Sequence, residues 1–156
     1  MKINKSKILS YAIIIASLLV VAILGSVFVN LGMEWFNGLV KPSQFVPNFL
    51  IPIMWTIIYI IFAVVLCMWV SKIKLPTETL VLLIINGVLN ILWCLVFFTF
   101  NLTFLGLVAI ILLLIVSWML ILNIKKYNKI YYYLTLIYPV WVSIATTLNI
   151  ALWVLN

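Results

Sequence analysis

The sequence predicts an all-α integral membrane protein, a five-transmembrane-helix bundle built as one domain over residues 1–156. Hydrophobic residues make up 69% of the chain and charged residues only 7%. A water-soluble domain carries about 25% charged residues, so most of this surface must face lipid rather than water. Two further observations support this fold class: five long apolar stretches, and the absence of charged side chains within them.

The apolar stretches define the predicted helices at about residues 8–31, 47–71, 79–100, 104–122 and 130–155. Each can cross a membrane, because a spanning helix takes about 20 apolar residues. The first follows a lysine-rich start, as a signal peptide would. It is too long and has no clean cleavage site, so we predict that it stays as a helix. Five spans with short connections account for the whole chain, which leaves no room for a soluble catalytic or DNA-binding domain.

The lysines predict the orientation of a multi-pass protein in the cell membrane. One side of a five-span protein would carry eight of the nine lysines, namely Lys2, Lys5, Lys7, Lys72, Lys74, Lys125, Lys126 and Lys129. The other side has Lys41 alone. Cytoplasmic loops carry the excess of lysine, so we expect the N-terminus in the cytoplasm and the C-terminus outside. Because these lysines lie in separate loops and not along one face, the net charge of +7 does not predict nucleic-acid binding.

The predicted spans contain no Asp, Glu, Lys, Arg or His. Proton pumps and many ion-coupled transporters need such groups within the membrane, so these classes are disfavoured. Without histidine, and with only Cys67 and Cys94 as thiols, the chain offers no sensible metal-ligand set. The acids Glu34 and Glu78 fall on opposite sides, which argues against paired-carboxylate catalysis. The two cysteines are interpreted as packing residues.

Polar and aromatic residues recur at helical spacing in three spans. The third span carries Asn86, Asn90, Trp93 and Phe97; the fifth carries Tyr138, Trp141, Ala145 and Asn149; the second carries Trp55, Tyr59 and Phe62. An asparagine amide facing lipid would lack hydrogen-bond partners, so these stripes should point into the bundle. The aliphatic fourth span, in contrast, is predicted to face lipid or another subunit.

Two interpretations of the stripes remain open. Asparagines often link transmembrane helices, and tryptophan and tyrosine often anchor helices at the membrane interfaces. We expect the anchoring role for Trp35, Trp69, Trp118, Trp153 and the run Tyr131, Tyr132 and Tyr133. The deeper Trp55, Trp93 and Trp141 suit a site where a flat apolar ligand stacks between indoles and is oriented by an amide.

Three motifs resemble the TspO/translocator-protein family of tryptophan-rich sensory proteins. They are Trp35-Phe36-x-x-Leu39-x-Lys41-Pro42, followed by Trp55 and Tyr59; Leu89-Asn90-x-x-Trp93-x-x-x-Phe97-Phe98; and Tyr138-x-x-Trp141-Val142-Ser143-x-Ala145-x-x-Leu148-Asn149-x-x-x-Trp153. The resemblance covers the whole chain in length, helix count and motif order. The chain departs from the family at Gln44 and Val46 in the first loop, at Ala109 in place of an acid, and at Pro139.

The resemblance implies a bundle that dimerises and binds porphyrins, such as protoporphyrin IX or heme, in an intramembrane pocket, with no cofactor required. Trp55, Asn90, Trp141 and Ala145 match positions that the family uses at this pocket. The motif that carries Trp35 and Lys41 adds these two residues to the predicted site. Lys41, the only cation on its side, could pair with a porphyrin propionate; an ordinary interfacial lysine is the alternative.

Three functional hypotheses follow. The leading one is a membrane receptor or sensor for tetrapyrroles or other flat apolar ligands, with a regulatory or transport role. The second is an enzyme that degrades protoporphyrin IX oxidatively in the light, with Trp55 and Trp141 as the reactive residues. The third is a passive transporter of porphyrin, lipid or sterol.

Overall fold

The structure is a computed structural model that describes residues 5–43 and 46–156. Within these residues, five helices are long and apolar enough to span a membrane. In chain order, the helices are α1 (Lys5–Leu31), α2 (Met33–Gly38), α3 (Leu50–Lys72), α4 (Thr77–Cys94), α5 (Thr103–Tyr127), α6 (Lys129–Thr135) and α7 (Ile137–Leu155), and a π-helical turn (Leu95–Thr99) extends α4. The predicted all-α membrane bundle is confirmed. Lys2 and Gln44, which entered the sequence predictions, lie outside the described residues.

The spans form a ring around a common interior. Helix α1 packs against α3 and α4, α4 packs against α5, and α5 packs against α7. The ring closes where α3 meets α6 and, at only a few positions, α7. The contact between α3 and α7 is therefore the loosest seam of the bundle.

Hydrogen bonds between distant segments show which chain ends share a side. Near the N-terminus, Lys7 Nζ donates to the Ser71 carbonyl at 2.6 Å. At the other end, the Asn156 amide pairs with both backbone groups of Val40, at 2.9 Å and 3.1 Å. We call the side with Lys7 and Ser71 the lysine-rich face, and the side with Val40 and Asn156 the opposite face.

The fourth span was predicted to face lipid or another subunit, and only one of its faces is exposed in this way, with Leu112, Ile115 and Met119 on it. Helix α5 buries ten residues, and Ile110, Leu113 and Leu120 are fully buried. Its hydrophobic residues look alike on every face, so the pattern hides which face is inside. The small Gly106 and Ala109, both buried, mark that face, because small residues let transmembrane helices approach closely.

Two of the predicted interface anchors are core residues. Trp69 is 2% exposed and Tyr131 is 3% exposed, and their ring centroids lie 5.7 Å apart. Trp118 and Trp153 keep 36% and 43% of their surface exposed, in line with anchoring. Trp69 lies close to the end of its predicted span, which suggested a position at the membrane interface. In the structure, Tyr131 of α6 packs against its ring instead.

The π-helical turn and α2 were not predicted. In the turn, the Phe100 N–H donates to the Leu95 carbonyl at 3.0 Å, which widens the helix so that Phe97 and Phe98 are both buried. Helix α2 starts after Gly32, which lies against this turn: a Cβ at Gly32 would overlap the Phe98 carbonyl. Only glycine allows the two backbones to meet there.

The fifth span is two helices, and the fourth is longer than predicted. Proline lacks the N–H that would bond to the carbonyl four residues earlier, so Pro139 accounts for the interruption at Leu136. Helix α5 ends at Tyr127 instead of residue 122 because its last turn lies beyond the apolar stretch. Asn128 then caps α6, accepting from the Ile130 N–H at 2.8 Å.

Candidate ligand-binding site

The aromatic and amide stripes meet around Trp55 of α3. The Trp55 ring centroid lies 6.0 Å from Tyr59, 6.1 Å from Trp93 and 6.2 Å from Tyr138. Such distances are typical of aromatic pairs that stabilise one another beyond simple burial. Residues from α3, α4 and α7 thus form one aromatic cluster within the ring of helices.

The amide of Asn86 links three helices. Its oxygen accepts from the Tyr138 hydroxyl at 2.7 Å, and its nitrogen donates to Ser117 Oγ at 3.1 Å. The Ser117 hydroxyl donates in turn to the Leu113 carbonyl at 2.6 Å. Asn86 therefore joins α4 to α5 and α7, the role of interhelical link that was one of the two interpretations of the stripes.

A second amide link lies nearer the opposite face. The Trp93 indole N–H donates to Asn149 Oδ1 at 3.2 Å, and Asn149 Nδ2 donates to the Ala145 carbonyl at 2.9 Å. A weaker bond of 3.4 Å runs from the Tyr59 hydroxyl to Asn90 Oδ1. These bonds hold the indole and phenol rings at fixed angles within the interior.

Three cavities formed by described residues border the cluster. The largest, about 300 Å³, lies in the half of the bundle near the opposite face, and we call it the outer cavity. Helices α1, α3 and α4 surround it, with Trp55, Tyr59, Asn90 and Trp93 in its wall. It is thus lined by four of the predicted site residues.

A narrow space of about 30 Å³ lies behind Trp55 and Trp93, between α3 and α7; we call it the side crevice. Its wall contains four other predicted residues: Phe97, Trp141, Ala145 and Asn149. The outer cavity and the side crevice share Phe36, Ile51, Trp55, Trp93 and Phe98. Displacement of the shared indoles would join the two spaces.

Trp141 has a buried donor without an acceptor. The ring is 5% exposed, and its Nε1 has no hydrogen-bond partner among the described residues. Leaving a buried N–H unpaired costs about 1–3 kcal/mol. Trp141 is also one of the residues that line the side crevice.

The third space, the inner cavity, has a volume of about 260 Å³ and lies in the half near the lysine-rich face. It is lined by Asn86 and Tyr138, and by Trp55, Tyr59 and Asn90, which also line the outer cavity. The predicted site residues are therefore divided among three adjoining spaces and do not line one pocket.

Two predicted site residues lie at the edge of these spaces. Trp35 packs against Phe97 with centroids 5.5 Å apart and is only partly buried. Lys41 Nζ lies 4.9 Å from the centroid of the Phe36 ring, which lines both the outer cavity and the side crevice. A cation thus stands beside the outer end of the site.

Sequence reasoning missed the contribution of α1. Ala22, Gly25 and Ser26 line the outer cavity, and Gly25 lies near Cys94 and Asn90 of α4. Small residues three to four positions apart in an otherwise bulky helix were the available signal. Phe36 was quoted as part of a motif but was not assigned to the site.

Comparison with known proteins gives one consistent result. The sequence model of the TspO/MBR family matches residues 13–154. The chain is 33% identical over 154 residues to the "Tryptophan-rich protein TspO" of Chlorobaculum tepidum, covering 96% of this chain and 98% of that protein. It is 31% identical over 144 residues to the protein of the same name from Archaeoglobus fulgidus (91% and 94% covered). Identity to "Protein CrtK" of Rhodobacter capsulatus is 27% over 126 residues, 78% of each chain.

Proposed function

Since the chain belongs to the TspO/MBR family, we propose that it is a membrane receptor that binds porphyrins and related tetrapyrroles, such as protoporphyrin IX or heme. Family membership supports a membrane sensor or regulator in general terms. The observation that carries the finer proposal is the pair of adjoining spaces, the outer cavity and the side crevice, whose shared wall consists of four aromatic residues and Ile51. The proposed mode of binding places a flat macrocycle against Trp55 and Trp93.

The volumes impose a condition on this binding mode. Pockets for small-molecule ligands measure about 300–1,000 Å³, and the outer cavity alone, at about 300 Å³, lies at the lower end of that range. A tetrapyrrole needs the side crevice as well. Binding would then rotate the Trp55 ring and open the seam between α3 and α7, which is the loosest contact in the ring of helices.

Polar groups at both ends favour a ligand with a polar edge. Trp141 Nε1 lacks an acceptor within the described structure and would donate to a ligand nitrogen or oxygen. Lys41, on the opposite face, supplies a positive charge close to Phe36 and would attract a propionate. A porphyrin with carboxylate side chains has both features.

Fluorescence titration tests this proposal. Protoporphyrin IX should quench the tryptophan emission of the purified protein, and the double variant Trp141→Ala/Asn90→Ala should bind at least about tenfold more weakly, the effect of 1.4 kcal/mol. Trp118→Phe, a change at an exposed ring on α5, serves as the matched control. Equal affinity of the double variant and the wild type would refute the proposed site.

A photochemical enzyme is the second candidate. The close spacing of Trp55, Trp93 and Tyr138 favours it, because an aromatic ring can donate an electron to an excited porphyrin without acid–base groups. Dissolved dioxygen would be the oxidant that takes up the electrons and that the net reaction consumes. Illumination of the complex should then consume protoporphyrin IX faster than free solution does, and Trp55→Phe should slow it. If protoporphyrin IX bleaches in the complex at the same rate as in free solution, the enzyme hypothesis is excluded and the receptor proposal is unaffected.

Passive transport is the third candidate. The outer and inner cavities share Trp55, Tyr59 and Asn90, so a ligand could cross the middle of the bundle if these rings moved. Proteoliposomes should take up protoporphyrin IX faster than protein-free vesicles, and equal uptake would exclude transport.

The receptor is further proposed to act as a homodimer with its N-terminus in the cytoplasm. Gly25 is the only buried residue of α1, so this helix has a long exposed face that offers room for a second subunit. Cross-linking in native membranes should give a species of twice 17.9 kDa; monomer alone would exclude the dimer.

A further inference from the structure

The inner cavity differs in chemistry from the tetrapyrrole site. Most of its wall is aliphatic, from α1, α3 and α4 and from Leu75 in the connection between α3 and α4. At its deep end, the amide oxygens of Asn86 and Asn90 already accept from Tyr138 and Tyr59. A flexible hydrocarbon chain suits this space better than a ligand that needs hydrogen bonds.

The inner cavity is open at the lipid-facing surface. Ile13 and Ser17 of α1 and Ile84 and Val88 of α4 line it, and all four are exposed. Such exposed wall residues mark an edge through which a lipid chain can enter sideways from the bilayer. The cavity therefore connects with the hydrocarbon of the half-membrane next to the lysine-rich face.

Three lysines lie in segments next to the end of the cavity at the lysine-rich face. Lys7 Nζ lies at the carboxyl end of α3, where it donates to Ser71. Lys72 and Lys74 are exposed. They lie just before Leu75, which is part of the cavity wall. The acid on this face, Glu78, accepts from Asn123 at 3.0 Å and lies 4.0 Å from Lys126, so its carboxylate contacts α5.

We propose that this is a binding site for an anionic phospholipid of the leaflet at the lysine-rich face. One acyl chain occupies the inner cavity, and the headgroup phosphate lies among Lys7, Lys72 and Lys74. Charge complementarity decides the occupant: clustered lysines at a membrane surface attract anionic lipid headgroups, whereas a neutral lipid or sterol would use only the apolar half of the site.

Native mass spectrometry of the purified protein with dimyristoyl phosphatidylglycerol tests the proposal. Each lysine near the membrane surface contributes about a fivefold change in affinity, so Lys72→Gln/Lys74→Gln should weaken binding about 10- to 30-fold. The control Lys125→Gln/Lys129→Gln removes the same charge at the ends of α5 and α6, keeps Lys126 next to Glu78, and should leave affinity within about twofold. Equal losses in both double variants would overturn the site in favour of general electrostatic attraction.

Two further experiments distinguish the contribution of the lipid's acyl chain from that of its headgroup. Ser17→Phe places a ring at the opening and should weaken binding of the lipid, whereas Ile15→Phe, at an exposed residue of α1 that is not in the cavity wall, should not. Glycerol 3-phosphate, which has the headgroup chemistry without chains, should fail to compete at millimolar concentration. Competition by glycerol 3-phosphate, or equally tight binding of dimyristoyl phosphatidylcholine, would contradict the proposal. Protoporphyrin quenching should remain unchanged in Lys72→Gln/Lys74→Gln, since those lysines lie outside the tetrapyrrole site.

Discussion

Trp93 and Trp141 are both 5% exposed, yet their indole N–H groups differ. That of Trp93 is bonded to Asn149, whereas that of Trp141 has no acceptor in the described part of the chain. One indole N–H therefore links α4 to α7, and the other would be the donor to a ligand in the function proposed above. Their equal burial hides this difference, and neither could be assigned its role from helical spacing.

Phenylalanine substitutions should separate the two roles. Trp93→Phe should lower the free energy of unfolding by about 1 kcal/mol, as for other hydrogen bonds between transmembrane helices, because Asn149 Oδ1 loses its donor. Trp141→Phe should leave stability unchanged or slightly higher, since it removes an unpaired group, while protoporphyrin affinity falls about 3- to 10-fold. Thermal unfolding in detergent and the fluorescence titration measure the two effects. A larger stability loss in Trp141→Phe than in Trp93→Phe would contradict this assignment.

At the scale of the helices, the end of α1 and the turn that extends α4 pack against each other through direct backbone contact. Gly32, between α1 and α2, lies against the backbone of Phe98 in the π-helical turn. The turn in turn presents Phe97, which packs against Gly106 of α5: a Cβ at Gly106 would lie 2.6 Å from the Phe97 ring. Two glycines thus allow three spans to converge at the opposite face.

Gly32→Ala should be strongly destabilising, by about 3 kcal/mol, because overpacking against backbone cannot be relieved by a change of rotamer. Gly38→Ala is the matched control, since a Cβ there meets nothing within 4 Å. The midpoint of thermal unfolding should fall clearly for the first variant and stay near the wild-type value for the second. Similar midpoints for the two variants would show that the backbones do not touch as described.

The connection between α2 and α3 is held to the end of α7 by Asn156, the residue after that helix. Its side-chain amide forms hydrogen bonds with both backbone groups of Val40. This connection leads to Val46, in the wall of the side crevice. Asn156→Ala should loosen the connection and raise the dissociation rate of protoporphyrin IX about fivefold, the equivalent of about 1 kcal/mol. Stopped-flow fluorescence measures this rate. Thr147→Ala, an exposed change on α7, should leave it unaltered; an equal increase in both variants would refute the role of Asn156.

The elements differ in how well the sequence predicts them. The five spans follow from apolar length alone, and the inward stripes follow from helical period together with the cost of an unpaired amide. Helix α2, the π-helical turn and the buried face of α5 do not, because each depends on contacts with other helices. The cavities could not be predicted for a related reason: they arise where α1, α3 and α4 fail to fill space. On α1, the small residues Ala22, Gly25 and Ser26 mark the inner side, but the helix has little amphipathic pattern otherwise.

At the scale of the whole molecule, the lysine distribution and the pairing of chain ends describe the same two faces. Every described lysine except Lys41 belongs to the lysine-rich face by the order of the spans, and the bond between Lys7 and Ser71 joins two of its segments. Which face lies in the cytoplasm follows from the positive-inside rule and is a separate prediction.

Cysteine labelling in intact cells tests the orientation. In a background with Cys67→Ser and Cys94→Ala, Val40→Cys should react with a membrane-impermeant maleimide added outside, since Val40 is exposed on the opposite face. Lys74→Cys should react only after lysis. The reverse labelling pattern would place the lysine-rich face outside.

The unpaired N–H of Trp141 has a spectroscopic consequence. Hydrogen bonding shifts an indole proton to lower field, so Trp93 and Trp141 should give separate signals in a nitrogen-15-edited spectrum of the seven tryptophans. A ligand that leaves the side crevice empty should shift this signal less than one that accepts a hydrogen bond from the Trp141 N–H. The resonance thus reports, without any added label, how far into the bundle a bound molecule extends.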